Sequence, residues 1–433
     1  MSNLRVRSAV SPLRRRQGEA ATAFAAPFHS VDALIADQRP EEPMHCIRPE
    51  ILSATAHDFV EAFPGDVLYA VKCNPDPAVL RALWAGGVRH FDCASPNEVV
   101  LVRQMFADAR IHLMHPIKSR GAVREAWARY DVRDFVLDSD AELAKILDET
   151  IATGVSGDLG LIVRLALPKG GAVLDLSGKF GAEAAEAVAL LRAARPHAAR
   201  LGVAFHVGSQ CLDPLAWRRA LGIAGEVIAE AGVAIDIVDV GGGFPVGYPD
   251  VEPPPLGAFM AEIEAGFERL DLPCARLWAE PGRALVAGGG SVVVQVQARR
   301  GDALYINDGV YGSLADAGAL GFRYPVRCIH ANSIAGSGVN HIIAGSGVND
   351  IICGDAEIGF SFFGPTCDSA DTMRGPFFLP ADIAEGDWIE IGQLGAYGAC
   401  LRTGFNGFDR ARIAEIFDAP LDRIDLPVSA QAA

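Results

Sequence analysis

Short apolar runs alternate with longer stretches of helical periodicity along this chain from about residue 50. The alternation is typical of βα units built around a parallel sheet. Eight runs precede residue 285, so we predict an α/β fold with a closed, eight-stranded (β/α)8 TIM-like barrel. The runs cover residues 67–71, 90–92, 111–114, 135–137, 159–165, 203–207, 235–240 and 276–279.

After residue 284 the pattern changes to β-rich segments at 291–298, 303–306 and 388–391, separated by glycine and proline. These segments predict a C-terminal all-β domain of antiparallel strands, which the N-terminal segment completes. The predicted division is a barrel over 45–285 and a β-rich domain over 31–44 and 286–433. A glycine-rich segment at 334–340 recurs at 343–349. Because no helix is predicted to follow, the duplicated region 334–351 favours a surface hairpin or loop over a phosphate cradle.

The composition narrows the possible partners and compartment. The chain has 433 residues, of which 50% are hydrophobic and 21% charged, which is enough for two domains. A formal net charge of -16 argues against binding to nucleic acid. The nine cysteines form no C-x-x-C pair and no His/Cys cluster at zinc spacing. We therefore expect no disulfide framework, no metal site and a reducing, cytoplasmic location.

The first thirty residues differ from the rest, with five arginines and no acidic residue before Glu19. We predict a flexible basic arm over 1–30, and an organellar transit peptide is the alternative. No apolar core follows the arginines, as a secretory signal would require. No apolar run of spanning length occurs, so no membrane partner is expected.

Polar residues follow the predicted barrel strands, where barrels of this kind carry their active sites. Lys72 stands out because its amine follows a short apolar strand and precedes a polar turn, a position suited to carbonyl chemistry. Each polar strand-end residue alone could be structural, but convergence on one rim indicates a site. The residues are Lys72, Asp92, His115, Asp138, Arg164, His206, Gly241, Gly242, Gly243, Glu280 and Arg283.

These side chains together suit an aldehyde cofactor. Lys72 could form an imine with pyridoxal 5'-phosphate, which also needs a phosphate cradle and a carboxylate at its pyridine nitrogen. The glycines at 241–243 can bring backbone N–H groups to a phosphate, and Arg283 can add a charged fork. Glu280 could keep the ring nitrogen protonated, and His206 could either stack on the ring or serve as a structural residue.

Six ordered motifs resemble one known family: YAVK at 69–72, FDCAS at 91–95, FHVGS at 205–209, GGGFP at 241–245, EPGR at 280–283 and GPTCD at 364–368. They are similar to the alanine-racemase-fold (type III) pyridoxal-phosphate-dependent decarboxylases, the family of ornithine, diaminopimelate and arginine decarboxylases. The resemblance covers residues 45 to 410 approximately. Six motifs in order make it far more specific than any single one.

The resemblance implies a role for each matched residue. Lys72 would be the Schiff-base lysine, and His206 would be catalytic with Lys72 and Cys367. The family also implies a homodimer with two active sites at its interface, where Cys367 and Asp368 enter the partner's site. The implied cofactor-binding residues are Lys72, Asp92, Arg164, His206, Ser209, Gly242, Gly243, Glu280, Arg283 and Tyr397.

The expected reaction is decarboxylation of a basic amino acid, first of all L-ornithine to putrescine and CO2. The Cys367 thiol would protonate the carbanion at Cα, and Asp368 would pair with the substrate's distal ammonium. Tyr311 and Asp316 are the further substrate-binding candidates, although Asp316 is nearer to Tyr311 than the family pattern leads us to expect. One methylene separates ornithine from lysine and discriminates weakly, so lysine or dual specificity stays open.

Alternatives come from the same fold. A regulatory relative that binds a partner protein would be expected to lack the lysine, the glycine turn or the cysteine, and this chain retains all three. An amino-acid racemase would use a tyrosine as its second base, and a diaminopimelate decarboxylase would need a cationic clamp. The adjacent Cys367 and Asp368 argue against both.

Overall fold

The computed structural model describes residues 26–155, 157–168, 172–174, 178–335 and 356–421. Most of the predicted basic arm and most of the duplicated glycine-rich segment lie outside the described residues. Within the described residues, no helix combines the length and apolar character needed to cross a bilayer.

Eighteen strands and eleven α-helices occur in the described residues. The strands are β1 (Met44–Ile47), β2 (Asp66–Ala70), β3 (His90–Cys93), β4 (Arg110–Leu113), β5 (Asp134–Leu137), β6 (Gly160–Arg164), β7 (Ala172–Leu174), β8 (Arg200–Ala204), β9 (Ser209–Cys211), β10 (Ile237–Asp239), β11 (Arg276–Ala279), β12 (Gly290–Arg300), β13 (Ala303–Ile306), β14 (Val326–Ile329), β15 (Glu357–Phe363), β16 (Thr372–Pro380), β17 (Trp388–Ile391) and β18 (Arg412–Glu415). The helices are α1 (Val31–Gln38), α2 (Pro49–Ala62), α3 (Pro77–Ala85), α4 (Pro96–Met105), α5 (Arg120–Tyr130), α6 (Asp140–Ala152), α7 (Ala184–Ala194), α8 (Leu215–Ala231), α9 (Leu256–Glu268), α10 (Arg283–Val286) and α11 (Ala331–Ala335).

Eight parallel strands close into a barrel in the order β10-β11-β2-β3-β4-β5-β6-β8. Each predicted run overlaps one of these strands, so the predicted fold class is confirmed. Apolar side chains from the strands and their ends pack together in a cluster of their own: Leu68, Met114, Val136, Ile162, Ala204, Ile237 and Trp278. Packed side chains fill the interior of such barrels, which leaves the strand ends to carry the chemistry.

Short connections with capped helices follow the strands on the carboxyl side of the barrel. Asp76 caps α3 by accepting a hydrogen bond from the Ala78 N–H at 2.8 Å, and Pro77 occupies its first turn. Ser95 caps α4 in the same way, and Pro96 follows it. A capping oxygen satisfies an otherwise unpaired helical N–H, and proline suits the first turn. The caps fix where each chain segment leaves the barrel rim.

The second unit is an eight-stranded sheet, in which six strands follow the order β14-β17-β12-β13-β15-β16 and β1 and β18 lie off this path. Strand β1, from the N-terminal segment, pairs with both β12 and β18 and so completes this sheet. The strands were predicted to be antiparallel, but β1 with β18 and β13 with β15 are parallel pairs. The paired strands lie far apart in sequence, so no tight hairpin forces them to run in opposite directions. The proposed division at residues 45 and 285 stays a prediction.

Hydrogen bonds join the sheet to the barrel rim close to Lys72. The Asn74 side-chain amide donates to the Gly395 carbonyl at 2.8 Å. The Tyr397 N–H donates to the Cys73 carbonyl at 3.0 Å. Residues 395–397 follow β17 of the sheet, and residues 72–74 follow β2 of the barrel. The pocket at the rim is therefore built from both parts of the chain.

Candidate active site

Lys72 lies in a short 3-10 turn, Val71–Cys73, that directly follows β2. Its Nζ donates to Oδ2 of Asp92 at 2.6 Å, and Asp92 lies on the adjacent strand β3 in register with Ala70. Desolvation opposes the positive charge, but the carboxylates of Asp92 and Glu280 raise the pKa of Lys72 above its ordinary value. About half of the lysine side chain, 47%, is exposed, whereas Asp92 is buried. The amine is thus held by one buried acid and accessible to a small molecule.

Ten residues line a cavity around this amine. Seven of them are predicted cofactor-binding residues, which the fold brings together from β9 and from the segments that follow β2, β8, β10, β11 and β17. The lining residues are Ala70, Lys72, His206, Ser209, Gly243, Phe244, Glu280, Gly282, Arg283 and Tyr397.

Acidic groups accumulate beneath the lysine. Desolvation, and then the charges of Asp239 and Asp92, raise the pKa of Glu280 well above its usual range. Desolvation also raises the pKa of Asp239 to about 7, although Asp239 accepts a hydrogen bond from the Gly241 N–H at 2.8 Å. Oδ1 of Asp92 and Oδ2 of Asp239 are buried and accept no hydrogen bond within the described residues. Cationic groups placed above these acids would therefore be stabilised.

The glycine turn after β10 needs glycine for reasons of space as well as backbone conformation. Gly243 has φ of +105°, and a Cβ on it would lie 2.3 Å from the carbonyl oxygen of Gly208. A Cβ on Gly242 would lie 2.5 Å from the Glu280 carbonyl oxygen and 3.2 Å from Nε2 of His206. Side chains here would push the turn away from the neighbouring backbone segments, so glycine is what lets the turn pack this closely beside the cavity.

Arg283 is buried at the cavity wall and carries two hydrogen bonds to neighbouring side chains. One goes to the Tyr248 hydroxyl at 2.9 Å and the other to Oδ2 of Asp316 at 2.8 Å. Its Nε is buried without a partner among the described residues. The Tyr397 ring centroid lies 5.0 Å from the guanidinium carbon. Asp316, predicted to bind the substrate's distal amine, is instead placed against this arginine.

His206 follows β8 and is held by its own backbone. Its Nδ1 accepts a hydrogen bond from the Gly208 N–H at 3.0 Å, so Nε2 is the ring nitrogen nearest the glycine turn. Desolvation, together with the charges of Arg164 and Lys72, lowers the pKa of His206 to about 3. The ring is therefore neutral at physiological pH. Arg164 is not among the residues that line the cavity, although its charge offsets a small part of the rise in the pKa values of Glu280 and Asp239.

The two other predicted rim residues, His115 and Asp138, stabilise loops through hydrogen bonds to backbone N–H groups. Nδ1 of His115 accepts from the Ile117 N–H at 3.1 Å, and its ring packs edge-on against Phe180. Asp138 accepts from the Gly181 N–H at 3.0 Å. Both contacts are local hydrogen bonds of the kind that loops use to satisfy backbone N–H groups.

A second group of predicted residues lies outside this cavity. The Tyr311 hydroxyl donates to Oδ2 of Asp368, and the Ala370 N–H donates to its Oδ1. The backbone donor first, and then Tyr311, lower the pKa of Asp368, so its carboxylate is ionised at neutral pH. Cys367 is exposed, and its N–H donates to Oδ1 of Asn406 at 3.1 Å. Within the described residues, neither Cys367 nor Asp368 lines the Lys72 cavity.

Another cleft borders this second group. Asp368 and the aromatic side chains of Tyr305 and Phe363 contribute to its wall. Its residues all belong to the sheet part of the chain and provide no amine. The Lys72 cavity is the one that brings together an amine, acids, an arginine and a glycine turn.

Three residues of the cavity region were missed by sequence reasoning. Asp239 could have been found as an acid inside the apolar run before the glycine turn, and Gly208 as part of the FHVGS motif. Tyr248 carries no signal of its own, because it reaches Arg283 only through the folding of the loop after β10.

A family model described as "Pyridoxal-dependent decarboxylase, pyridoxal binding domain" matches residues 50–287, more than half of the chain. The chain belongs to the pyridoxal-dependent decarboxylase family. The decarboxylase is similar to the lysine/ornithine decarboxylase of Selenomonas ruminantium, at 32% identity over 82% of this chain and 84% of that protein. It is 31% identical to the ornithine decarboxylase of Panagrellus redivivus, over 81% of this chain and 80% of that protein.

A solved structure of the lysine/ornithine decarboxylase from Vibrio vulnificus, complexed with putrescine, matches the decarboxylase with a TM-score of 0.72. The two are 29% identical over 89% of this chain and 96% of the other. The decarboxylase is thus a pyridoxal-phosphate-dependent carboxy-lyase.

The residues present fit pyridoxal 5'-phosphate. The cofactor carries an aldehyde, an anionic phosphate and a basic ring nitrogen, and each has a partner in the cavity. Lys72 offers the amine, and Glu280 offers a carboxyl group to the ring nitrogen. The glycine turn and Arg283, whose Nε has no partner within the part of the chain that the structure describes, offer donors to the phosphate.

Proposed function

We propose that this decarboxylase converts L-ornithine to putrescine and CO2, with L-lysine as an alternative or second substrate. The observation that carries the proposal is the ionised carboxylate of Asp368, which Tyr311 and the Ala370 N–H hold next to Cys367. A fixed carboxylate favours a substrate with a cationic tail and disfavours simple aliphatic amino acids. The names of the relatives support both ornithine and lysine.

Each pocket residue has a task that follows from its surroundings. When bound, pyridoxal phosphate takes up the electron pair of the breaking bond between Cα and the carboxyl group. Lys72 is the residue that would bind the cofactor's aldehyde carbon, and Asp92 orients the amine at 2.6 Å. Glu280, with its raised pKa, would share a proton with the ring nitrogen. His206 is neutral, so its ring can cover the cofactor ring without adding charge.

We expect the phosphate to be bound by backbone N–H groups of the glycine turn, by two hydroxyl groups and by an arginine. Gly243 lines the cavity with bare backbone, next to the buried Gly242, and Ser209 and Tyr397 add hydroxyl groups to the same cavity. Arg283 contributes the positive charge. Asp316 holds Arg283 at 2.8 Å, so in this proposal it positions the arginine and leaves the substrate amine to Asp368.

Proton delivery requires an acid on the far side of the reacting carbon. The Cys367 thiol is exposed and adjoins Asp368, so a substrate whose tail meets Asp368 would place its Cα near Cys367. Neither residue lines the Lys72 cavity of its own chain within the described residues. We therefore propose a homodimer in which the loop 364–371 of one protomer completes the cavity of its partner.

The direct test is to incubate the cofactor-loaded protein separately with L-ornithine, L-lysine, L-arginine and meso-diaminopimelate. The measured quantities are CO2 release and the amine produced. Putrescine as the dominant product supports the proposal, and cadaverine at equal kcat/KM supports dual specificity. Absence of CO2 from all four substrates would refute the proposal and favour a regulatory relative that binds a partner protein.

A further inference from the structure

Three side chains with metal-binding atoms converge on the second sheet. Cys328 lies on β14, His330 directly follows that strand, and Asp387 directly precedes β17. Residues two apart on a strand point to the same face, and the antiparallel pairing of β14 with β17 brings Asp387 opposite His330. Sequence spacing could not reveal the group, because its third member lies 57 residues further along the chain than His330.

The distances suit a single metal ion. Nδ1 of His330 lies 3.0 Å from Oδ2 of Asp387 and 3.7 Å from Sγ of Cys328. One ligand atom from each residue can be chosen so that all three lie within 4.8 Å of one another. A tetrahedral zinc ion with bonds of about 2.0 Å to N and O and about 2.3 Å to S separates its ligands by roughly 3.3–3.6 Å. Sγ of Cys328 is also 3.8 Å from Nε2 of His330, so the Cys328 side chain must rotate toward the Nδ1 side to reach the same ion.

The surroundings resemble the outer shell of a metal site. The Ala331 and Ala384 N–H groups both donate to the Asp387 carboxylate at 2.9 Å and fix its orientation. The other ring nitrogen of His330, Nε2, lies 3.8 Å from Oδ1 of Asp382. A histidine that binds metal through one nitrogen commonly presents the other to a carboxylate, which sets the ring orientation.

We propose that Cys328, His330 and Asp387 bind one zinc ion, with Nδ1 as the imidazole ligand, Asp382 as its outer partner and a water molecule in the fourth position. A thiolate, an imidazole and a carboxylate form a donor set that suits zinc better than the harder cations calcium and magnesium. The ion displaces a proton from the thiol and replaces the His330–Asp387 hydrogen bond. Because β14 ends the sheet order, the ion would clamp this strand to β17.

The experiment uses the full-length, cofactor-loaded protein after EDTA treatment and dialysis. Zinc chloride is titrated by calorimetry, and bound zinc is counted by elemental analysis. We expect one zinc per chain for the wild type and for Cys274→Ser, a control at an exposed cysteine elsewhere. His330→Ala and Cys328→Ser should each weaken binding by at least about 100-fold, the upper end of what loss of an outer-shell contact costs. Circular dichroism checks that each variant is folded.

Cobalt provides a readout that a merely structural cluster would not give. Co²⁺ added to the wild type should produce the intense visible bands of tetrahedral coordination, which lie beyond most of the cofactor's absorbance. Asp382→Asn should keep these bands and weaken binding by about 10- to 100-fold, whereas Cys328→Ser should change them. Zinc binding that is absent in the wild type, or equally tight in His330→Ala and Cys328→Ser, would overturn the proposal.

Discussion

At the scale of single residues, Asp316 and Asp368 are two aspartates whose side chains have different partners and, in our proposal, different roles. Asp316 is buried in an ion pair with Arg283, whose side chain is only 4% exposed. Asp368 is held at the surface of the sheet part by Tyr311. The family resemblance made both acids candidates for the substrate amine. The structure pairs Asp316 with Arg283, and Asp368 remains our proposed partner of the substrate amine.

Substitution of Asp316 tests this division. Asp316→Asn leaves the buried Arg283 charge without its acid, so the free energy of unfolding of the cofactor-free protein should fall by about 3 kcal/mol. The measurement is urea unfolding followed by fluorescence. Pyridoxal phosphate should recover part of the loss, since its phosphate would neutralise the arginine. A stable variant whose KM for ornithine rises would contradict the assignment.

Asp368→Asn is the matched experiment on the other acid. It removes the charge that meets the substrate's distal ammonium and keeps the side-chain size. We expect KM for L-ornithine to rise about tenfold or more, with an unchanged visible spectrum of the bound cofactor. Steady-state kinetics and an absorbance scan measure the two effects. An unchanged KM would remove Asp368 from substrate recognition.

At the scale of elements, the barrel strands were predictable because each is a short apolar run that ends at a polar rim residue. The Lys72, Asp92 and Glu280 positions followed from that pattern. The partners of Arg283 did not, because Tyr248 and Asp316 reach it from loops whose paths depend on tertiary packing. The parallel pairs of the second sheet escaped prediction for a similar reason: side-chain alternation shows that a strand exists, but not which strand it pairs with.

The turn after β10 permits a sharp prediction about an element. Gly243→Ala adds a Cβ at φ +105°, 2.3 Å from the Gly208 oxygen. Left-handed backbone costs roughly 1–2 kcal/mol for an L-residue, and the clash adds to that cost. Cofactor affinity, measured by equilibrium dialysis, should fall at least about tenfold. Gly257→Ala on α9, where a Cβ meets nothing within 4 Å, should leave it unchanged. Equal affinities would show that the turn tolerates side chains.

At the scale of the whole molecule, the shared site can be tested by mixing inactive variants. Lys72→Ala lacks the amine, and Cys367→Ala lacks the proton donor. If one protomer's loop completes its partner's cavity, a random mixture should contain about half mixed dimers, each with one intact site. Activity should then return to about a quarter of the wild-type value. Activity no greater than that of the separate variants would argue against sharing.

Buried histidines make the stability of the molecule depend on pH. Desolvation is the main cause that lowers the pKa of His90 to about 3 and that of His45 to about 4, below the ordinary value of about 6.5. As the pH falls below about 6.5, these histidines bind protons in the unfolded chain but stay neutral in the folded chain. The free energy of unfolding that the neutral histidines contribute is fully present above about pH 6.5. It falls by about 2 kcal/mol per histidine between pH 7 and 5.

The variant His90→Gln isolates one contribution. Urea unfolding at pH 7 and pH 5 should show a smaller pH dependence for this variant than for the wild type. His29→Gln, at an exposed position, is the control and should follow the wild-type curve. If His90→Gln showed the same pH dependence as the wild type, the pKa of His90 would be the same in the folded and unfolded states.

The hydrogen bonds from Asn74 to Gly395 and from Tyr397 to Cys73 have a consequence for how the chain can be divided. The part recognised by the pyridoxal-binding model ends at residue 287, more than a hundred residues before Tyr397. A fragment truncated there would keep the barrel strands but lose one cavity wall and the anchor of the turn that carries Lys72. Cofactor capture is therefore a property of the joined chain, and an isolated barrel should be a poor scaffold for engineering new pyridoxal enzymes.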